Sequence, residues 1–429
     1  MSSNNPVERN ILFFTCIAHA MTHVYIHLFT AIQPEIRRSF EGMSPEDLTS
    51  LASISLLVFG AGAIPAGWLS DRYGEKPLLV AFFILSAAGG VMTGFASQTW
   101  HLAAGFALIG LGTSIYHPVG LALISKGIRL PARAMGINGL FGSLGTALSP
   151  LAALQLTHWT GDWRWAFIGL AIPMVILAVL LGASDTGGKR TRDAVEGEVE
   201  GSRGGIKALV GFLLAAMLFG GIYYSLIITM LPQRIGEGAA KAPFLRELVG
   251  EGYLPFLIFF IGGIGQVLAG YWMEKREGRG LYILILLGSV PLIYLTGILD
   301  GIELLIGASA MAFFMFAVQP VENTLLARYT APGMRGRIYG LKFILTFGVG
   351  MGSGTALSGW IEEGSLAAFF EAPTLFSGLT GVFSAAACFA AASLAMAVLA
   401  WVVKRKSGGP QADQGESTQA EAGSNAGLT

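Results

Sequence analysis

Twelve apolar blocks, each about 20 residues long, constrain this chain before any motif is considered. They occupy residues 11–32, 48–69, 77–96, 101–125, 134–157, 164–183, 206–230, 253–273, 281–299, 302–327, 338–360 and 377–403. A helix of about 20 residues crosses the hydrocarbon of a bilayer, where each peptide group must be paired inside the protein. The blocks lack the period-two alternation of a membrane barrel. They therefore predict an all-α membrane protein with twelve transmembrane helices. Only 13% of the residues are charged, about half the share usual in a soluble domain, which argues against a soluble fold.

Basic residues orient the chain. With the N-terminus inside, 21 of the 27 lysines and arginines fall in the inner segments. The outer segments hold only Arg37, Arg38, Arg164, Arg234, Lys241 and Arg246. Lysine and arginine accumulate on the cytoplasmic side of membrane proteins, so both termini are expected there, in a multi-pass protein of the plasma or inner membrane. No cleavable signal peptide is visible, because the first block is too long and leads straight into a polytopic pattern. A net charge of zero is divided into layers by the membrane and implies no nucleic-acid partner. Cys16 and Cys388 both lie in apolar blocks and suggest neither a disulfide nor a metal pair.

The blocks divide six and six. Residues 184–205 are polar and Gly-rich and read as a cytoplasmic linker. This predicts an N-terminal bundle over 1–183, a C-terminal bundle over 206–403 and a disordered tail over 404–429. Short repeats link the halves: His117-Pro118 with Gln319-Pro320, Pro131-Ala132-Arg133 with Pro332-Gly333-Met334-Arg335, and Gly145-Thr146-Ala147-Leu148-Ser149-Pro150 with Gly354-Thr355-Ala356-Leu357-Ser358-Gly359. A nearly constant offset is what two bundles related by an axis along the membrane normal would show.

A charged hairpin also occurs twice. The run Gly67-Trp68-Leu69-Ser70-Asp71-Arg72-Tyr73-Gly74-Glu75-Lys76 has a degenerate copy in Gly270-Tyr271-Trp272-Met273-Glu274-Lys275. Asp71 ends the second helix, where the helix dipole is already negative and an added anion is disfavoured. Its expected partner is the N-terminus of the eleventh helix near Arg337, with free amides and positive charge. Glu274 is expected to meet the start of the fifth helix near Arg133 in the same way. Contacts of this kind form when one side is shut and break when it opens, so Gly67, Asp71, Arg72, Gly74, Lys76, Arg133, Glu274 and Arg337 are candidate latch residues. The other reading is that they are loop charges that only set topology.

Polar groups inside the blocks mark a candidate substrate or proton pathway. His19, His23 and His27 recur every four residues and share one face of the first helix, a face tolerated only toward the bundle interior or a wet cavity. They could bind solute or exchange protons, or simply bond to neighbouring helices. Tyr116 and His117 precede Pro118, which is expected to interrupt the fourth helix and free a backbone carbonyl. Gln319, Glu322 and Asn323 form the matching site in the tenth helix. A carboxylate buried alone keeps its proton, whereas one beside a cation stays ionised, and Lys342 is the available cation. If the two pair, Glu322 is a gate or structural group rather than a proton carrier. Tyr25, Asn138, Tyr223, Tyr224 and Gln266 are weaker lining candidates.

The stretch from Gly67 to Lys76, Gly-x-Leu-Ser-Asp-Arg-x-Gly-x-Lys, resembles the signature loop of the major facilitator superfamily. Within that superfamily the chain is similar to fosmidomycin-resistance-type efflux transporters. The likeness is carried by His19 and Pro34, by Gly110-Leu111-Gly112-Thr113-Ser114-Ile115-Tyr116-His117-Pro118, and by residues 136–150. It departs at Thr22-His23, where that group shows Asn-Asp, and at Val119, where it shows an acid. The resemblance implies a secondary transporter that moves a small organic solute by alternating access.

No phosphate loop, zinc spacing or nucleophile arrangement is present, so the expectation is no enzyme, no cofactor and energy drawn from gradients. A buried acid with several histidines points to protons as the coupling ion. A monomer in the lipid bilayer is expected. The alternative is a membrane receptor or scaffold that kept the fold and lost the transport cycle.

Overall fold

Helix boundaries in this chain are set by proline, glycine and polar caps rather than by any loss of apolar character. The computed structural model describes residues 5–187, 203–239, 253–275, 278–362 and 377–407. Most of the expected linker, 188–202, and the tail beyond 407 lie outside the described residues.

Asn5 accepts a hydrogen bond from the Val7 amide and Pro6 opens α1 (Pro6–His27). A short turn of 3₁₀-helix and α2 (Gln33–Arg38) follow. Ser44 and Asp47 form a reciprocal capping box at the start of α3 (Pro45–Tyr73). Gly74, with φ of 97°, ends α3 and lets α4 (Glu75–Gly94) begin at the next residue. Then come α5 (Thr99–Gly127), α6 (Pro131–Thr160) and α7 (Arg164–Ala183). The second half supplies α8 (Arg203–Ala239), α9 (Tyr253–Met273), α10 (Gly278–Ile298), α11 (Gly301–Arg328), α12 (Arg335–Phe343), α13 (Gly352–Glu362) and α14 (Gly378–Ser407). α14 takes in the first residues of the expected tail.

The described residues form an all-helical fold. Ten described helices, α3 to α11 and α14, are long and apolar enough to cross a membrane. The other two expected crossings fall short for identifiable reasons. α1 carries three histidines. The eleventh block is not one helix: α12 and α13 are joined by a π-helical segment, Ile344–Met351, and π-turns in helices recur at functional sites. With these two, the arrangement fits twelve crossings. The expected break at Pro118 does not occur, because α5 runs unbroken through it, and α11 likewise runs through Pro320. A mid-helix proline removes one hydrogen bond, and packing on all sides holds the remainder.

α1 and α3 to α7 pack on one another, as do α8 to α11, α13 and α14. The seams between the sets are α3 and α5 against α12, and α6 against α9 and α11. One apolar core extends over the first set and across into Leu281, Leu325, Tyr339 and Phe343, whereas a second core is confined to the later helices around Met311 and Phe383. Large apolar side chains such as Leu57, Val179 and Ile306 are outwardly exposed, as a lipid-facing surface requires.

Candidate functional site

The seams enclose a central cavity of about 90 Å³, room for several waters or part of a small solute. From the first set it is lined by His19 and His23 of α1, His117 of α5, and Asn138 and Ser143 of α6. Facing them are Tyr223 and Tyr224 of α8, Gln266 of α9, Gln319, Glu322 and Asn323 of α11, Lys342 and Phe343 of α12, and Thr346 and Phe347 of the π-segment. Symmetry-related positions of α5 and α11 thus meet in one chamber.

The three imidazoles form a cluster. His19 Nδ1 lies 2.8 Å from the Asn138 carbonyl oxygen, and His19 Nε2 lies 3.2 Å from His23 Nε2. The His117 ring stacks on Phe343 at 4.5 Å and meets His19 edge-on at 5.1 Å. His117 Nε2 is buried without a hydrogen-bond partner among the described residues. His27 stacks on His23 at 6.2 Å but does not line the cavity. Tyr116 does not line it either. It is fully buried, donates to Asn138 Oδ1 at 2.9 Å and stacks on His19 at 5.0 Å, so it supports the lining from behind.

Across the cavity, Lys342 Nζ lies 3.2 Å from Glu322 Oε2 and donates to Asn323 Oδ1 at 2.6 Å. Tyr282 donates its hydroxyl hydrogen to Glu322 Oε1 at 2.8 Å. Both charges are buried and each has partners, which is the condition for an ion pair to persist away from water. The halves also touch through Gln266, whose amide nitrogen donates to Ser143 Oγ at 2.9 Å.

Two clamps shut the seams at one end. Asp71 Oδ1 accepts from the Gly336 amide at 3.0 Å, and Oδ2 from the Arg337 amide at 3.0 Å. Glu274 Oε1 accepts from the amides of Ala132 at 2.7 Å and Arg133 at 3.3 Å. In each clamp a carboxylate at the end of one helix caps the start of a helix from the other half, using amides that have no partner inside their own helix. Glycines allow the approach: a Cβ on Gly67 would lie 2.2 Å from the Gly336 carbonyl oxygen, and one on Gly270 would lie 2.5 Å from that of Ala132. α1 starts at this end too, since Asn10 donates to the Asp185 carbonyl just beyond α7.

The hairpin charges divide by role. Arg337 Nε lies 3.4 Å from Asp71 Oδ2. Arg72 instead lies over the Trp68 and Tyr73 rings, at 5.4 and 5.5 Å. Lys76 donates to the Ser184 carbonyl at 2.7 Å, within the first half. Arg133 lies 4.2 Å above the Tyr271 ring, bringing the second seam a cation–π contact. Lys126 is the residue that sequence reasoning missed: its ammonium lies 3.3 Å from Asp71 and 2.8 Å from Glu75, with all three side chains buried. A lysine in the last turn of a buried helix was the available signal, yet in sequence it counts only as a topology charge. Arg335 donates to the Ser125 carbonyl at 2.7 Å and stands out in sequence only as the end of a repeat, while Tyr282 carries no distinguishing pattern.

The family model described as Major Facilitator Superfamily matches residues 11–355. A probable 4-methylmuconolactone transporter of Cupriavidus pinatubonensis is 31% identical over 180 residues, covering 41% of this chain and 42% of the relative. Multidrug resistance protein MdtH of Shigella boydii is 25% identical over 330 residues, or 74% of this chain and 78% of the relative. Inositol transporter 4 of Arabidopsis thaliana is 27% identical over 152 residues, 34% of this chain and only 26% of the relative. The chain therefore spans less than half of the inositol and methylmuconolactone transporters. Among solved structures, the proton:xylose symporter XylE aligns with a TM-score of 0.70 at 14% identity, over 92% of this chain and 95% of that one. The fucose:proton symporter FucP of E. coli aligns with a TM-score of 0.66 at 13% identity, over 91% and 98%. At those identities the likeness is one of fold.

Proposed function

Because this chain belongs to the major facilitator superfamily, and is a transporter rather than an enzyme, we propose that it carries a small organic solute through the central cavity by alternating access, with protons as the coupling ion. One observation carries the reading: a polar chamber between the halves, shut at one end by two carboxylates that cap helices of the opposite half. Each clamp exists only while its seam is closed, so breaking both would open the chamber to that side. Solute binding would then bias which seam is closed.

The clamped end is cytoplasmic in this reading, supported by the lysine and arginine bias, with both termini there and the protein acting as a monomer in the plasma or inner membrane. The bundles over 1–183 and 206–403 are the rocking units. The pairing with Lys342 makes Glu322 a gate rather than a free proton carrier, and in this reading protonation works that gate. While ionised, Glu322 holds Lys342; once protonated, it no longer attracts the ammonium, which is freed to meet an acidic or hydroxyl group of the solute. Efflux is the proposed direction, supported by the match to Multidrug resistance protein MdtH.

The test is transport in proteoliposomes under an imposed pH gradient. Saturable turnover is expected, and Glu322→Gln should lose proton-driven flux while solute exchange survives. Stoichiometric binding without turnover would instead identify a receptor that has kept the fold. Proton-driven flux undiminished in Glu322→Gln would remove this residue from the coupling.

A further inference from the structure

We propose that His19, His23 and His117 form a binding site for a divalent transition-metal ion of the zinc class. The ligand nitrogens of all three lie within 4.8 Å of one another. Zinc bound by imidazole at about 2.0–2.1 Å in a tetrahedron sets its nitrogens about 3.3 Å apart. His19 Nε2 and His23 Nε2 are already at 3.2 Å, and a modest rotation of the His117 ring completes the set.

The supporting bonds favour the same chemistry. A carbonyl oxygen only accepts, so the contact with Asn138 puts the proton of neutral His19 on Nδ1 and leaves the Nε2 lone pair facing His23. Metal-binding histidines are typically oriented in this way by a bond from their second nitrogen to a carbonyl. In the metal-free state His23 Nε2–H donates to His19 Nε2; to coordinate through Nε2, neutral His23 carries its proton on Nδ1, so no proton need be released. His117 Nε2 supplies an independent indication, because a buried nitrogen without a partner is the exception in folded proteins.

Three neutral nitrogens select zinc, cobalt, nickel or copper over magnesium and calcium, which take oxygen ligands. They bring no negative charge, and the nearby Glu322 already faces Lys342. A dication in this setting needs an anion, so the fourth position, open to the cavity, suits a carboxylate oxygen from a small solute. All three ligands belong to α1 and α5, which pack within one half. The site would thus stay intact while the halves move, and it stands on this geometry independently of the transport reading.

The experiment uses the full chain in detergent, with any affinity tag removed and metal stripped by a chelator. It is titrated with Co²⁺ as a visible-absorption probe and then with Zn²⁺ as competitor. One Co²⁺ per chain, displaced by Zn²⁺, is expected, with affinity raised by acetate, which chelates free metal only weakly. His23→Gln and His117→Gln should each weaken binding by roughly tenfold or more, while His101→Gln, outside the cluster, should leave it unchanged. Because a cavity variant can fail to fold, wild-type protein is also treated with diethylpyrocarbonate and mapped by mass spectrometry; Zn²⁺ should protect His19, His23 and His117 but not His101. No stoichiometric binding, or binding with no protection of these three residues, would overturn the site whether or not the protein transports.

Discussion

Asp71→Asn is the sharpest perturbation of the clamp between α3 and α12. In the native protein Oδ1 faces the Gly336 amide and Lys126, while Oδ2 faces the Arg337 amide and side chain. However the new amide is turned, its NH₂ group confronts one of the two backbone N–H donors, while Arg337 loses this anion and Lys126 is left with Glu75. A hydrogen bond to a charged group contributes about 1.5–3 kcal/mol. The bond lost exists only with the seam closed, so the loss acts on the closed state alone. The ratio of open to closed protein should rise by roughly 10- to 150-fold. Thr324 is a suitable reporter, being buried with its hydroxyl 3.5 Å from Met135 Sδ across the seam. In a background with Cys16→Ser and Cys388→Ser, Thr324→Cys is labelled by a bulky membrane-impermeant maleimide added at the clamped side. Adding Asp71→Asn should raise the labelling rate by a comparable factor until the open form predominates. A rate within about twofold of the parent, in protein with an unchanged melting temperature, would refute the reasoning.

Glu274→Gln keeps an acceptor oxygen for the Ala132 and Arg133 amides and loses only the charge, so the same reporter should speed up by less than in Asp71→Asn. Gly67→Val places a side chain where even a Cβ would meet the Gly336 carbonyl at 2.2 Å; overpacking of about 1–3 kcal/mol should raise the labelling rate and prevent cross-seam disulfide trapping. Lys342→Met leaves Glu322 without its buried cation, a loss of about 3–5 kcal/mol, visible as a lower melting temperature in detergent that Glu322→Gln should largely restore. Outside the membrane, hydrogen bonds from Ser44 hold the Asp47 carboxyl below its ordinary value. A carboxyl with a depressed native value stabilises the fold above its unfolded value of about 3.9 and loses that contribution as pH falls through the native one. Amide protection at the start of α3, corrected for the intrinsic pH dependence of exchange, should therefore fall below about pH 4 and stay constant between pH 5 and 7.

Much of the candidate site was legible because its signals are local. Three histidines at a spacing of four declare a single helix face, and an acid at the wrong end of a helix declares the need for a donor elsewhere. Glu322 and Lys342 stood out as charges in apolar blocks. Where reading failed, the missing information was three-dimensional. Tyr116 sits beside His117 in sequence, yet successive helical residues point about 100° apart, and it faces the helices behind the cavity. Arg72 and Lys76 share the hairpin with Asp71 but turn to rings and to a carbonyl of their own half. Besides the expected Arg337, the cation that reaches Asp71 is Lys126, from 55 residues away.

Hydropathy and charge are properties of a segment and its solvent, so the amino-acid order alone determined that the chain spans a membrane, that its halves repeat, and that Asp71 and Glu274 require helix starts as partners. Which amides they find, which lysine neutralises Asp71, where the eleventh crossing loosens into a π-segment and which three imidazoles converge were decided only by tertiary packing. Such contacts join residues from 55 to 266 positions apart, and their distances depend on how glycine-lined helices meet, which no local pattern encodes.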